Sequence, residues 1–228
     1  MGDFLWVTIL LGAIAFTGCA LAVKAGTAAK RNDGASPRVV QAFWAPMTVY
    51  AGAFTLLRAS IAFDLGWHVA LYYVATIAGA STLVSLLYMF FGILIGPQAA
   101  KWAAKAATAF ATAIVFFIFY YGLDGPFVDE WSVQLIPSNP GVRALIAFTY
   151  MAVPVALAAL VFWAVRHVGP ATKRRTTMFA TAVLLIYIPS AIPYVWTAGG
   201  PAGTILAALI ATGALTGWQS YRNPVGNA

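Results

Sequence analysis

The side chains able to do chemistry are scarce in this sequence, and their spacing is poor for it. Thirteen Lys and Arg, six Asp and Glu and two His are spread over 228 residues. Membrane enzymes and proton-coupled carriers keep such groups at mid-depth, where they are costly unless used. Here only Arg58 lies more than a turn inside a long apolar run, and toward its outer end. It is expected to snorkel outward and pair with Asp64. His68 and His167 belong to opposite faces of any membrane these runs cross, so they cannot share a haem or a metal. Ser81 and Ser85 have no base in reach and read as hydrogen-bond donors between helices. Cys19 is the single cysteine, which excludes an internal disulfide and thiolate metal clusters. No catalytic or metal-ligating residue is assigned, and no enzymatic activity is expected.

What remains is aromatic and hydroxylic: Trp44, Tyr50, Tyr72, Tyr73, Tyr88, Tyr187, Tyr194 and Trp196. Such residues serve as packing or interfacial anchors. Gathered around bent helices, they can also line a slot for a flat apolar ligand such as a carotenoid, a quinone or a lipid tail, held without a covalent bond.

The elements that must position them follow from hydropathy. The chain is 62% hydrophobic and 8% charged, with a mean hydropathy of +0.85, far from the composition of a soluble domain. One crossing of a hydrocarbon core about 30 Å thick needs roughly 20 apolar residues. The apolar runs lie near residues 4–23, 39–63, 67–95, 102–122, 142–165, 176–197 and 202–221. They predict one domain, residues 1–228, in the all-α class: a polytopic membrane protein built as a seven-transmembrane-helix bundle. The runs do not alternate as the strands of a membrane barrel would.

Charge sets the expected orientation, because Lys and Arg collect in cytoplasmic loops. Eleven of the thirteen basic residues fall in loops 1, 3 and 5 and the C-terminal segment, while five of the six acids fall on the other side. The N-terminus is therefore placed outside and the C-terminus in the cytoplasm. The net charge of +7 is a topology signal, and a basic inner face attracts anionic lipid headgroups rather than nucleic acid. AFTGCA around Cys19 has the look of a lipoprotein cleavage site. Asp3 and the lack of a preceding basic residue favour an uncleaved first helix, with Cys19 a small packing residue.

Small side chains let membrane helices approach. Ala103, Ala107 and Ala111, and Ala104, Thr108 and Thr112, are expected to face neighbouring helices from helix 4. Ala207 and Ala211, and the Gly213/Gly217 pair, do the same from helix 7; a homo-oligomer interface is the other use of such a pair. Pro46, Pro154, Pro189 and Pro193 lie inside crossings and remove backbone donors. Pro189 and Pro193, four apart, share one face of helix 6, expected inward. The connection from Gly122 to Gly141, with Trp131, Leu135 and Ile136, is long enough to be functional, as a cap folded back on the bundle or a contact for another protein. Gly199–Gly203 reads as a tight Gly-Pro turn.

RRTTMFATAVLLIYIPSAIPYVWTAGGPAG, with its basic start, its Pro and Trp three apart and its Gly-rich turn, resembles the sixth helix of the microbial (type 1) rhodopsin family. LYYVATIAGASTLVSLL is similar in frame to that family's third helix. The resemblance puts Pro193 and Trp196 on two family positions of helix 6, the Trp belonging to the retinal pocket, and Tyr72 and Thr82 on matching positions of helix 3. These four are the residues it implies for an apolar-ligand pocket. It also shows what is missing. Ala214 stands where the retinal-linking lysine would be and Ile210 where the helix 7 aspartate would be. Ala75, Ala78 and Gly79 replace the pump arginine, the proton acceptor and a pocket tryptophan. Without the amine no Schiff base forms, so covalent retinal and proton pumping are not expected.

The expectation is thus a non-enzymatic, rhodopsin-like seven-helix protein without covalent retinal. It would act as a sensor, an apolar-ligand-binding protein or an accessory subunit, in contact with membrane lipids and with another membrane or cytoplasmic protein. The seven-helix input modules of bacterial sensor kinases share this topology, but only about seven residues follow Tyr221, so output would pass through a separate protein. A small transporter or channel is the competing class, and the internal repeat such proteins carry is not evident. The lack of an N-glycosylation sequon and of a targeting segment fits a prokaryotic plasma membrane.

Overall fold

The computed structural model describes residues 2–31, 35–128, 133–167, 169–196 and 202–222. Among them run seven α-helices: α1 (Gly2–Arg31), α2 (Ala35–Ala62), α3 (His68–Leu94), α4 (Pro97–Tyr121), α5 (Pro140–Ala164), α6 (Pro170–Val195) and α7 (Ala202–Arg222). Two strands, β1 (Leu123–Val128) and β2 (Val133–Pro137), stand between α4 and α5. The expected Gly-Pro turn falls mostly on residues 197–201, outside the described residues.

Several helices outrun their apolar stretches. α1 continues past Val23 to Arg31, α4 starts at Pro97 rather than Trp102, and α6 starts at Pro170 rather than Thr176. Hydropathy marks the part matched to hydrocarbon. Ala, Lys and Arg are strong helix formers that carry the helix on into water, and proline with its fixed φ suits the first turn. Pro97, Pro140 and Pro170 each begin a helix. Asn139 caps α5, its side-chain oxygen accepting from the amides of Gly141 at 2.8 Å and Val142 at 3.2 Å. The α3–α4 turn needs Gly96, whose φ of 126° is open to glycine and rarely to other residues.

His68–Gly92, Pro97–Tyr121, Pro140–Ala164, Lys173–Val195 and Ala202–Ser220 are each long and apolar enough to cross a membrane, and Thr8–Lys24 is a shorter apolar stretch of α1. In α2, Pro46, Arg58, Thr48, Thr55 and Ser60 interrupt the apolar sequence. The chain is an all-α protein of multi-pass membrane character.

Helices adjacent in sequence pack side by side, and α1 closes the arrangement against α7, except that α4 rests on α3 and barely touches α5. A groove of about 30 Å³ between α4 and α5 is lined by Phe110, Ile114, Ile146 and Thr149. On α4, Ala103, Ala107 and Ala111 are half-buried, but Thr108 and Thr112 are exposed and bond their own helix. In the second small row Ala104 is half-buried, but its two threonines do not pack as expected, because α4 has a helix on one side only. Cys19 is exposed on α1, not packed between helices. Ser85 bridges helices by donating to the Ala42 carbonyl at 2.7 Å, whereas Ser81 bonds Ile77 within α3.

α7 is drawn in by its glycines. A Cβ at Gly213 would lie 3.0 Å from the Ala182 carbonyl oxygen and 2.9 Å from Ile186, both on α6. One at Gly217 would lie 2.6 Å from the ring of Trp44 on α2. The pair is used within the chain. At the same end, Arg175 Nε donates to the Ser220 carbonyl at 3.3 Å and Lys24 Nζ lies 5.8 Å from the Trp218 ring centre.

Candidate functional site

The hairpin covers the opposite end. β1 and β2 pair antiparallel, Leu123 opposite Pro137 and Asp124 opposite Ile136, with a register irregularity between Asp124 and Phe127. β1 exposes Phe127 and Val128, whereas Leu135 and Ile136 of β2 are buried. Of the two roles open to this connection, β2 takes that of a cap folded onto the bundle. Trp131 lies outside the described residues.

Beneath β2 is a cavity of about 150 Å³. Leu11 and Ile14 of α1, Phe54 and Arg58 of α2, Tyr72 of α3, and Leu206 and Ile210 of α7 line it, with Gln134, Leu135 and Ile136 as its cover. α6 contributes Pro189, Ser190, Pro193 and Tyr194, so the proline face of α6 does lie inward. At roughly 30 Å³ per molecule this volume equals about five waters, room for a single ring or short chain. A whole carotenoid would have to extend beyond it.

Six of the lining residues carry polar atoms: Tyr50, Arg58, Tyr72, Gln134, Ser190 and Tyr194. Arg58 is 5% exposed, and its Nε donates to Thr8 Oγ1 at 3.2 Å. This corrects the expectation that it snorkels outward to Asp64. α2 continues to Ala62, and Asp64 then turns away with φ of 52° and is exposed, so the guanidinium reaches across to α1 instead. Ser190 donates to the Ile186 carbonyl at 2.7 Å. Tyr72 is 1% exposed. Tyr194 is close by, yet the buried Tyr72 hydroxyl has no hydrogen-bond partner of acceptable geometry.

Thr82 lies just beside this cavity, in a crevice of about 10 Å³ that shares Met47, Tyr50 and Ser190 with it. Thr82 Oγ1 donates to the Gly79 carbonyl at 2.7 Å and lies 2.5 Å from the Tyr187 hydroxyl. The single Thr82 proton being committed to Gly79, Tyr187 is the donor of that second bond. Gly79 leaves the room that the Tyr150 hydroxyl occupies, 2.7 Å from where its Cβ would be. Thr82→Val is expected to cost about 1–2 kcal/mol by stranding the Tyr187 hydroxyl, seen as a fall of a few degrees in melting temperature in detergent. An unchanged melting temperature would mean the bond contributes nothing.

Of the four pocket residues read from the sequence, Tyr72 and Pro193 line the cavity and Thr82 adjoins it. Trp196 does not: it is 61% exposed where α6 ends. The helix unwinds there, so its ring points away from the bundle. Ile210 lines the cavity, whereas Ala214, 1% exposed, is packed in the core and off its wall. Phe54, Tyr150 and the β2 residue Gln134 escaped the sequence reading. Tyr150 pairs edge-on with Tyr187 at 5.6 Å and Tyr194 at 6.1 Å, and its place opposite Gly79 is a matter of helix register that spacing within either helix does not reveal. Among the described residues, no three of His, Cys, Asp and Glu come together as a metal would require. No protein-family model, curated protein or solved structure matches the chain.

Proposed function

We propose that the chain is a non-enzymatic sensor or accessory subunit of the plasma membrane that holds an apolar ligand noncovalently in the cavity under β2. In this reading α1 and α2 also cross, giving seven spans with the N-terminus outside, and the rhodopsin-like frame is kept without its lysine. The observation that carries it is the cavity itself: largely apolar walls from five helices, among them a buried, unpaired Tyr72 hydroxyl, with β2 across one side. α7 supplies a physical route for output. Its first half forms cavity wall, and its far end is tied to α6 through Arg175 and Ser220. A ligand that binds one α6–α7 arrangement better than another shifts the population at that end, where a membrane or cytoplasmic partner would read it.

The test is an absorption spectrum of protein purified in mild detergent, followed by solvent extraction. A band or extractable apolar molecule that survives borohydride supports the reading, and a retinal band lost to borohydride as a protein adduct overturns it. Saturable uptake of an ion or solute into liposomes would instead favour a transporter.

A further inference from the structure

We propose that the cavity takes a neutral ligand whose apolar body ends in a carbonyl oxygen, and that the Tyr72 hydroxyl donates a hydrogen bond to that oxygen. The inference rests on the ligand-binding reading above and specifies the chemistry of the same cavity. Buried hydroxyls nearly always have a partner. Tyr72 forms part of the cavity wall, and its hydroxyl has none. An acceptor placed in the cavity would complete it.

The surroundings narrow the class. Ile14, Phe54, Leu206 and Ile210 require an apolar body. The Ser190 proton is committed to the Ile186 carbonyl, so Ser190 does not compete as a donor. Arg58 Nε is engaged with Thr8, and the group offered without a partner is a neutral phenol. Arg58 keeps its charge while bonded to the neutral Thr8 hydroxyl, so it is the counter-charge a buried carboxylate would need. A ketone or quinone oxygen needs only the donor that Tyr72 offers, and the Arg58→Gln comparison below separates the two. The volume of about 150 Å³ suits the carbonyl-bearing end of such a molecule.

The experiment titrates the full chain in lipid nanodiscs with 2-decanone, decane and decanoate, following saturable binding by ligand-observed NMR in wild type and Tyr72→Phe. Comparing one probe across two proteins cancels its partition into lipid. Ketone affinity is expected to fall about three- to tenfold in Tyr72→Phe, the worth of one hydrogen bond, while decane affinity stays the same. Equal ketone affinity in both proteins, with saturable binding retained, overturns this inference and leaves the ligand-binding reading standing. Decanoate binding at least tenfold tighter than the ketone, with that preference lost in Arg58→Gln, overturns it in favour of an acid. If none of the three probes saturates, the ligand-binding reading itself falls.

Discussion

Ala214→Lys is expected to lower the melting temperature by about 10 °C and to form no aldehyde adduct at position 214. Ala214 is 1% exposed in the core between helices. A lysine there must displace well-packed neighbours, at about 1–3 kcal/mol, and hold an ammonium at depth, at about 2.5–3.5 kcal/mol. For a chain of this size each kcal/mol moves the midpoint by about 2–4 °C. Ile210→Lys provides the contrast, because Ile210 lines the cavity and its replacement delivers the amine into open space. Exposure to hexanal and borohydride, followed by peptide mapping, should place an adduct on position 210 and none on position 214. A stable Ala214→Lys protein that captures the aldehyde would show that position 214 opens onto the cavity, contrary to the geometry above.

Gly213→Ala and Gly217→Ala are each expected to destabilise by about 1–3 kcal/mol, reversing the usual gain of about 0.5–1 kcal/mol for Gly→Ala in a helix interior. At position 213 the methyl meets the Ala182 backbone carbonyl, which cannot move without shifting α6. At position 217 it meets the Trp44 ring, itself 1% exposed and edge-on to Phe43 at 5.1 Å. Gly52 of α2 is the control, since nothing lies within 4 Å of its Cβ position, and Gly52→Ala should be neutral or stabilising. Thermal melts of the three variants in one detergent check the pattern. A gain in all three would mean that α7 does not approach α6 and α2 closely.

The helices were legible because long apolar runs mark them, and each read run coincides with one of α1 to α7, overrunning it by at most two residues at an end. Their ends were less so, since the terminal turns at Pro97 and Pro170 follow helix propensity instead of hydropathy. β1 and β2 escaped because LDGPFV and VQLIP are short, carry proline and do not alternate. Their pairing depends on residues that only meet in three dimensions. Arg58 was misplaced for a related reason: its depth in α2 is readable, but the acceptor at Thr8 belongs to another helix. The proline face of α6 could be read because both residues lie on one helix. Tyr150 could not, because its fit depends on the glycine opposite it on α3.

The central claim is that a ligand sits in the cavity without a covalent bond, and native mass spectrometry of wild type and Ala207→Phe tests it most directly. Ala207 lines the cavity and is 5% exposed, so a phenyl ring there fills the space from α7. The account predicts that the wild-type chain carries one apolar molecule, which organic solvent removes to leave the unmodified 24.1 kDa chain. Ala207→Phe should melt within a few degrees of wild type, as partial filling of a cavity allows, and lose most of that molecule. Equal occupancy in both proteins, or a mass increment that survives denaturation, would contradict it.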